Sequence, residues 1–421
     1  MTTNRKISHA ALPLAIVAAT LSAGHTAPAH AQELVGEGTN AGEQCTTSGI
    51  NNGGKAVGTC IPANGTGPAV PWVDEAFNDG SEVALPPLSR GQSCSTGGDA
   101  NSGTIIGECL NASGVAFAVT WNAASPTTGP VKLTPVSGLL GLDPDVSTAA
   151  TAYDQIGYVV GESYNITAVG TPVLYAPGSG TAVELTSYGS NCVPVDITDT
   201  LVNGMPEVAI NCPNANGTVT PEVATATGLL GAYVTSNLPL PSGSTYCSVT
   251  AIDNTDQLLG TCHTPGPDVP QTAFWPNATT APTLLVVTIG GSTARNAGDL
   301  LNNSGNAVVE YRQPGTGIDL PALWNPTTGN LTFIPPLPGG AHVTATCLAD
   351  NNVVGLASED SAENTEAAYW SPSGGLVAEG FVNDGEVSVV TGCSQNGAYL
   401  AATGEGDGEN SLAEEGQIST P

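Results

Sequence analysis

Past residue 31 the chain keeps two histidines, His263 and His342, and three arginines, Arg90, Arg295 and Arg312, as its best candidates for acid–base work or for gripping an anion. Neither histidine belongs to a cluster with metal-ligand spacing or stands beside a recognisable nucleophile. No G-x-S-x-G elbow and no Gly-rich phosphate loop occurs. Histidine-dependent triad chemistry therefore has little material. The 37 acids offer many carboxylate pairs by chance, and spacing along a chain says nothing about distance across a fold. No cofactor is expected. Calcium is the one ion that the acidic turns around Asp253, Asp256 and Asp350, or the run Gly404–Glu409, could take, and none of them matches an EF-hand loop.

The ten cysteines form a framework. Cys45/Cys60, Cys94/Cys109 and Cys247/Cys262 are each 15 apart, and Cys192/Cys212 are 20 apart. Turn residues such as Asn51-Asn52-Gly53-Gly54 and Asp253-Asn254-Thr255-Asp256 lie between the partners, flanked by short apolar runs. That is the pattern of a β-hairpin whose folding sets the two sulfurs opposite each other. The wider fourth spacing predicts the same hairpin with a longer tip, Asp199 to Gly204. Zinc would favour C-x-x-C spacings with extra histidines, so each pair reads as a structural disulfide stapling one hairpin. Cys347 and Cys393 each precede an equivalent position, Gly355 and Ala401, by eight residues. A bridge between them would tie the last unit to its predecessor.

The elements that carry these residues repeat. Trp72, Trp121, Trp275, Trp324 and Trp370, with Tyr175 as a conservative copy, recur at one phase of a period of about 49 residues. A second anchor, Gly58, Gly107, Gly161, Gly260, Glu310 or Gly355, precedes each aromatic by 14 or 15 residues. A degenerate unit fits between Tyr175 and Trp275 with its anchor near Thr225. The unit around Trp275 reads as four strands, A (Tyr246 to Ile252), B (Gln257 to Cys262), C (Thr272 to Trp275) and D (Thr283 to Thr288). Units of this size and strand count predict an all-β fold, a β-propeller of seven or eight four-stranded blades, more than a solenoid. The Trp on C supplies apolar surface between sheets, and the Gly on B leaves it room. Fixed phase inside a strand favours packing over sugar stacking for these rings. An eighth unit opens at Val387 to Thr403, and the segment Glu33 to Gly38 is expected to complete it, which would protect the sheet edges.

The run Asp253-Asn-Thr-Asp-Gln-Leu-Leu-Gly260, followed by Thr272-Ala-Phe-Trp275 and Ile289-Gly-Gly291, resembles the bacterial extracellular HAF repeat. Leu300 to Val309 with Ala322-Leu-Trp324 and Leu337-Pro-Gly-Gly340 is similar again. The family's His is missing from every copy. The resemblance implies an exported, propeller-like protein and supplies no catalytic residues.

Residues 1–31 read as a signal peptide, with Asn4-Arg5-Lys6 before the apolar run Ala11 to Ala23 and a small-x-small site at Ala29-His30-Ala31. The mature chain would begin at Gln32, with 32–403 as the repeat domain and 404–421 as an acidic, disordered tail. The formal charge is −30, and loss of Arg5 and Lys6 would make it −32. Such a field disfavours nucleic acid and anionic membrane surfaces. No later apolar run is long enough for a membrane helix. A secreted, periplasmic or surface-attached monomer is expected.

In a propeller the B–C and D–A connections share one face. That places Arg90, Arg295 and His342 in D–A connections and His263 and Arg312 in B–C connections, with Lys55 pointing to the other face. A small cationic patch in an acidic protein could receive an anionic or polyhydroxylated ligand. The leading expectation is a binding module for a glycan, an envelope polymer or a protein. The alternatives are a propeller hydrolase or lyase using carboxylates or calcium, and a purely structural matrix component.

Overall fold

The computed structural model describes residues 35–37, 43–62, 65–74, 82–137, 145–228, 232–263, 270–285, 295–312, 318–381, 387–405 and 411–417. The chain divides into Met1–Ala31 and Gln32–Pro421. The expected signal peptide lies outside the described residues.

Every described element is a strand or a turn. Six sheets are four-stranded antiparallel meanders in sequence order, and a seventh sheet holds eight strands. That last sheet consists of two four-stranded units joined by one parallel residue pair, Thr365 with Val387. The open choice of seven or eight thus resolves into seven hydrogen-bonded sheets carrying eight A–B–C–D units. Units 1 to 8 begin with the A strands Glu43–Ile50, Cys94–Asp99, Ser147–Tyr153, Val193–Val202, Tyr246–Ile252, Arg295–Leu301, Val343–Leu348 and Val387–Cys393.

Unit 8 is built from both ends of the chain, with Val387–Cys393, Tyr399–Glu405 and Ser411–Gln417 as A, B and C, and the N-terminal Val35–Glu37 as D. This closes the ring as expected and corrects the reading of 404–421 as an unstructured tail. Ser411–Gln417 pairs with strand B over seven residues, from Glu405↔Ser411 to Tyr399↔Gln417.

The core lies between units. Val57 and Val73 of unit 1 pack with Ile105 and Trp121 of unit 2, and equivalent apolar clusters fill each later joint. Tyr399 and Ala401 of unit 8 pack against Trp72 of unit 1. Burial at every joint, with no single central core, is what radial packing of pleated sheets requires.

Three of the aromatic anchors share a polar contact as well. The Trp121 indole donates to the Pro86 carbonyl at 2.9 Å, the Tyr175 hydroxyl to Thr134 at 3.1 Å, and the Trp275 indole to Pro239 at 2.8 Å. Each acceptor is the second residue after strand D of the preceding unit and directly follows a buried leucine. Trp72 departs from this phase. Gly58 pairs with Trp72, whereas Gly107 pairs with Val119, two residues before Trp121. The B–C connection of unit 1 is two residues longer, which hides the offset, and Asp74 occupies the place of Trp121. In unit 4 the anchor is Ala224, one residue before Thr225.

Strand A carries a bulge or irregularity against strand B in all eight units, as between Thr96 and Gly98. The bulge swings the Ser95 carbonyl over Gly107, where a Cβ would collide with that oxygen and lie 2.8 Å from the Trp121 ring. The same collision meets Gly161 and Gly260, where the backbone of Ala149 and of Ser248 is the first obstacle. Glycine on strand B of units 1, 2, 3 and 5 therefore answers first to the bulge carbonyl, with the tryptophan ring a further obstacle at Gly58 and Gly107.

All five expected disulfides form: Cys45–Cys60, Cys94–Cys109, Cys192–Cys212, Cys247–Cys262 and Cys347–Cys393. In units 1, 2 and 5 the register sets Cys45 opposite Cys60, Cys94 opposite Cys109 and Cys247 opposite Cys262. Cys192 stands one place before strand A of unit 4, where Val193 pairs with Asn211, so it meets Cys212 just beyond the last pair of the ladder. The expected long tip of that hairpin, Asp199 to Gly204, is corrected: strand A runs to Val202 and strand B resumes at Met205, leaving a turn at Asn203-Gly204. The extra residues extend the ladder past an irregularity between Ile197 and Leu201, and Leu201 pairs with Pro206. Cys347–Cys393 differs in kind, since it joins the A strands of units 7 and 8.

Candidate functional site

The five predicted ligand-binding residues lie on the face formed by B–C and D–A connections, spread over units 1 to 7. Arg90 is exposed in the turn between units 1 and 2. His263 ends strand B of unit 5 and stacks on Tyr246, with ring centroids 4.3 Å apart and planes 11° from parallel. His342 is exposed before strand A of unit 7, and its backbone N–H donates to Glu359 at 3.2 Å. Arg295 opens strand A of unit 6 opposite Glu310, and Arg312 ends strand B of that unit opposite Asp319; their side chains lie outside the described residues. Four of the five thus gather in units 5 to 7, while the joint that carries Arg90 stands across the ring.

Within that sector the structure opens a groove of about 510 Å³. Tyr311 and Phe333 form its aromatic wall, with centroids 4.4 Å apart and planes tilted by 49°. Ile318, Leu320, Pro335 and Pro336 complete the apolar lining. Phe333 is 43% exposed although it closes strand D. Arg312 directly follows Tyr311, and His342 directly follows Ala341 of the groove wall. Apolar aromatic surface bordered by cationic positions suits a ligand with an apolar face and polar or anionic edges. Sequence reading missed this groove, because its walls come from three strands and a D–A connection; the only signal was Phe333-Ile-Pro-Pro336.

The opposite, A–B end of the channel is a belt of polar side chains. Around this end each unit passes a hydrogen bond to the next, from the second residue of the A–B turn in most units, from Asp199 within strand A of unit 4 and from Asn396 in unit 8. The backbone N–H of Asn52 donates to Asn101 (2.7 Å), Asn101 to Gln155 (3.0 Å), Gln155 to Asp199 (2.7 Å), Asp199 to Asn254 (2.6 Å), Asn254 to Asn303 (3.0 Å) and Asn303 to Asp350 (2.9 Å), each time to a side-chain oxygen. Asp350 then donates to the Gln395 carbonyl at 2.8 Å, and Asn396 returns to Asn52 Oδ1 at 2.7 Å. Gln395 also bridges the mouth, accepting from Asn101 at 3.1 Å and donating to Asp199 at 2.8 Å. Behind the belt lies a cavity of about 320 Å³ whose lining includes Asp99, Tyr153, Asp196 and Asp350.

Two of the acids considered for calcium have other work, and residues 406–409 of the run Gly404–Glu409 lie outside the described residues. Asp253 Oδ1 accepts the N–H groups of Thr255 and Gln257 within its own turn, and Asp350 serves the belt. Among the described residues no three His, Cys, Asp or Glu side chains converge as a metal set.

Asp256 instead meets Glu207 of unit 4, carboxyl to carboxyl. Burial, then the hydrogen bond to Asp256, pushes Glu207 up to about 7, opposed by the hydroxyl that Thr225 donates at 2.6 Å. Burial also raises Asp154 to about 6, against three backbone N–H groups that favour its charge and with the Asp199 charge adding to the rise. A proton-holding pair of this kind is the raw material of acid–base chemistry.

No family model and no curated protein matches this chain. Among solved structures it is similar to Porphyromonas gingivalis dipeptidyl peptidase 4, at 11% identity and a TM-score of 0.56, over 88% of this chain and 57% of that one. The β-propeller domain of the Trilobed protease from Pyrococcus furiosus matches at 9% identity and 0.49, over 81% and 97%. An oligogalacturonate lyase in complex with manganese matches at 7% and 0.49, over 91% and 99%. At these identities the likeness concerns the fold alone.

Proposed function

We propose that this protein is a binding module of an oxidising compartment outside the cytoplasm, and that it holds the sugar rings of a glycan or envelope polymer in the Tyr311–Phe333 groove. The groove carries the reading: an exposed Phe333 ring set against the buried ring of Tyr311, with an apolar floor on the loop-rich face, next in sequence to Arg312 and His342. The CH face of a pyranose packs on such rings, and cationic residue types at positions 312 and 342 suit its hydroxyl or carboxylate edge. Five disulfides support the compartment, since they persist where thiols are oxidised. The loose similarity to HAF repeats agrees with export.

A second reading rests on the Glu207–Asp256 pair, which would serve a hydrolase or lyase of the same polymers as a proton donor and acceptor. One experiment separates them. The purified protein is titrated with soluble oligosaccharides of differing charge, and both bound ligand and released product are measured. Saturable binding without product, weakened about tenfold or more by Tyr311→Ala or Phe333→Ala, supports the module. Product formation lost in Glu207→Gln supports the enzyme. Binding only to protein partners would remove the sugar assignment.

A further inference from the structure

In units 1 to 6 the residue directly after strand D is a buried aliphatic: Leu85, Leu133, Leu185, Leu238, Leu285 and Ile334, each 7% exposed or less. Each donates its N–H to the equivalent carbonyl of strand C, as Leu133 does to Ala118 and Ile334 to Pro321. In unit 7 the same place, opposite Ala367, holds a two-residue bulge, Glu379-Gly380, with Gly380 at φ +90°. Glu379 is 3% exposed, and neither of its carboxyl oxygens has a hydrogen-bond donor. A carboxylate in such a site is costly, whereas the neutral acid is tolerated.

We propose that Glu379 is a proton-holding residue in the joint between units 7 and 8, and that its ionisation loosens this joint as the medium turns alkaline. The joint borders the unit that closes the ring: Cys347–Cys393 spans it, Ser388 hydrogen-bonds both Ala367 and Gly380 across it, and unit 8 is completed by the N-terminal strand. Among the described residues the groups near Glu379 are Glu366 and Tyr369 of strand C, with Asp360 behind Glu366. All three can carry only negative charge, so no described neighbour favours the anion.

Burial and the Glu366 charge together lift Glu379 to about 8. The folded state then holds a proton that the unfolded chain releases near its ordinary value of about 4.5. Stability from this group is complete below that value and is lost as pH rises to about 8.

The test compares the parent protein with Glu379→Gln, which keeps the shape and cannot ionise, and with Glu379→Leu, which restores the residue of the other units. Melting temperature and hydrogen exchange of residues 365–393, with residues 147–175 as internal reference, are followed from pH 5 to pH 9. Both variants should gain several degrees over the parent between pH 5 and pH 9, with the exchange difference confined to residues 365–393. If Glu379→Leu fails to fold, Glu379→Gln alone decides. A variant-to-parent difference that stays constant with pH overturns the proposal. So does calcium binding by the parent that abolishes the pH dependence and is lost in Glu379→Gln, because a cation and not a proton would then neutralise the site.

Discussion

The backbone N–H of Asn396 donates to Asn52 Oδ1 at 2.7 Å, so the last A–B turn of the ring is fastened to the first. Seven other turn-to-turn bonds lead up to this one, and it is the link that makes the belt a closed circle.

Removal of that acceptor in Asn52→Ala should cost about 1 kcal/mol, the usual net worth of such a bond. Hydrogen exchange should rise at units 8 and 1 and leave units 3 to 5 unchanged. Uniform exchange around the ring would mean that the belt does not act as a closure.

The disulfides should rank by the loop they close. By loop entropy, separations of 15 and 46 residues give about 3 and about 4 kcal/mol. The double serine variant of Cys347 and Cys393 should therefore lower the melting temperature more than that of Cys247 and Cys262. The reverse order would show that ring closure does not depend on the joint between units 7 and 8.

Gly107→Ala should destabilise by about 1–3 kcal/mol, as overpacking does, because the new methyl meets the Ser95 carbonyl. Denaturant unfolding measures it. A neutral substitution would remove the bulge explanation for glycine on strand B.

Glu207 carries its own pH signature. Its folded value near 7 lies above the unfolded one, so it stabilises fully below about 4.5 and loses that contribution as pH rises to about 7. Glu207→Gln should therefore gain in melting temperature relative to the parent at pH 8 and show little difference at pH 4. An equal effect at both values would contradict the shared-proton pair.

Much of this architecture was legible in the sequence because it rests on local rules. A hairpin with 15-residue cysteine spacing, as from Cys45 to Cys60 or Cys94 to Cys109, can bring its sulfurs together in few ways, and Tyr246–Ile252 forms strand A over the residues expected. The pairing of Cys192 with Cys212 was legible too, but not its cause, because a longer tip and a longer ladder give the same spacing. Trp72 was misplaced because equal spacing from Gly58 conceals a longer B–C connection. Ser411–Gln417 escaped notice because an acidic composition such as Glu414-Glu415 reads as solvent-loving, although a strand flanked by two others gains its order from the backbone ladder. Of the predicted cationic positions Arg90 stands apart from the other four, because facing the same side of a ring does not set two residues near each other. The belt was present as Asn, Asp and Gln at one phase of the repeat, yet turn propensity alone accounted for those residue types.

The groove claim is tested most directly by equilibrium binding of a defined set of oligosaccharides to the parent, Tyr311→Ala and Phe333→Ala proteins, with disulfides and melting temperature verified in each. Saturable binding of at least one sugar, reduced about tenfold or more in both variants while the fold is retained, is the predicted result. Binding that both variants leave intact, or no sugar bound by the parent, would contradict it.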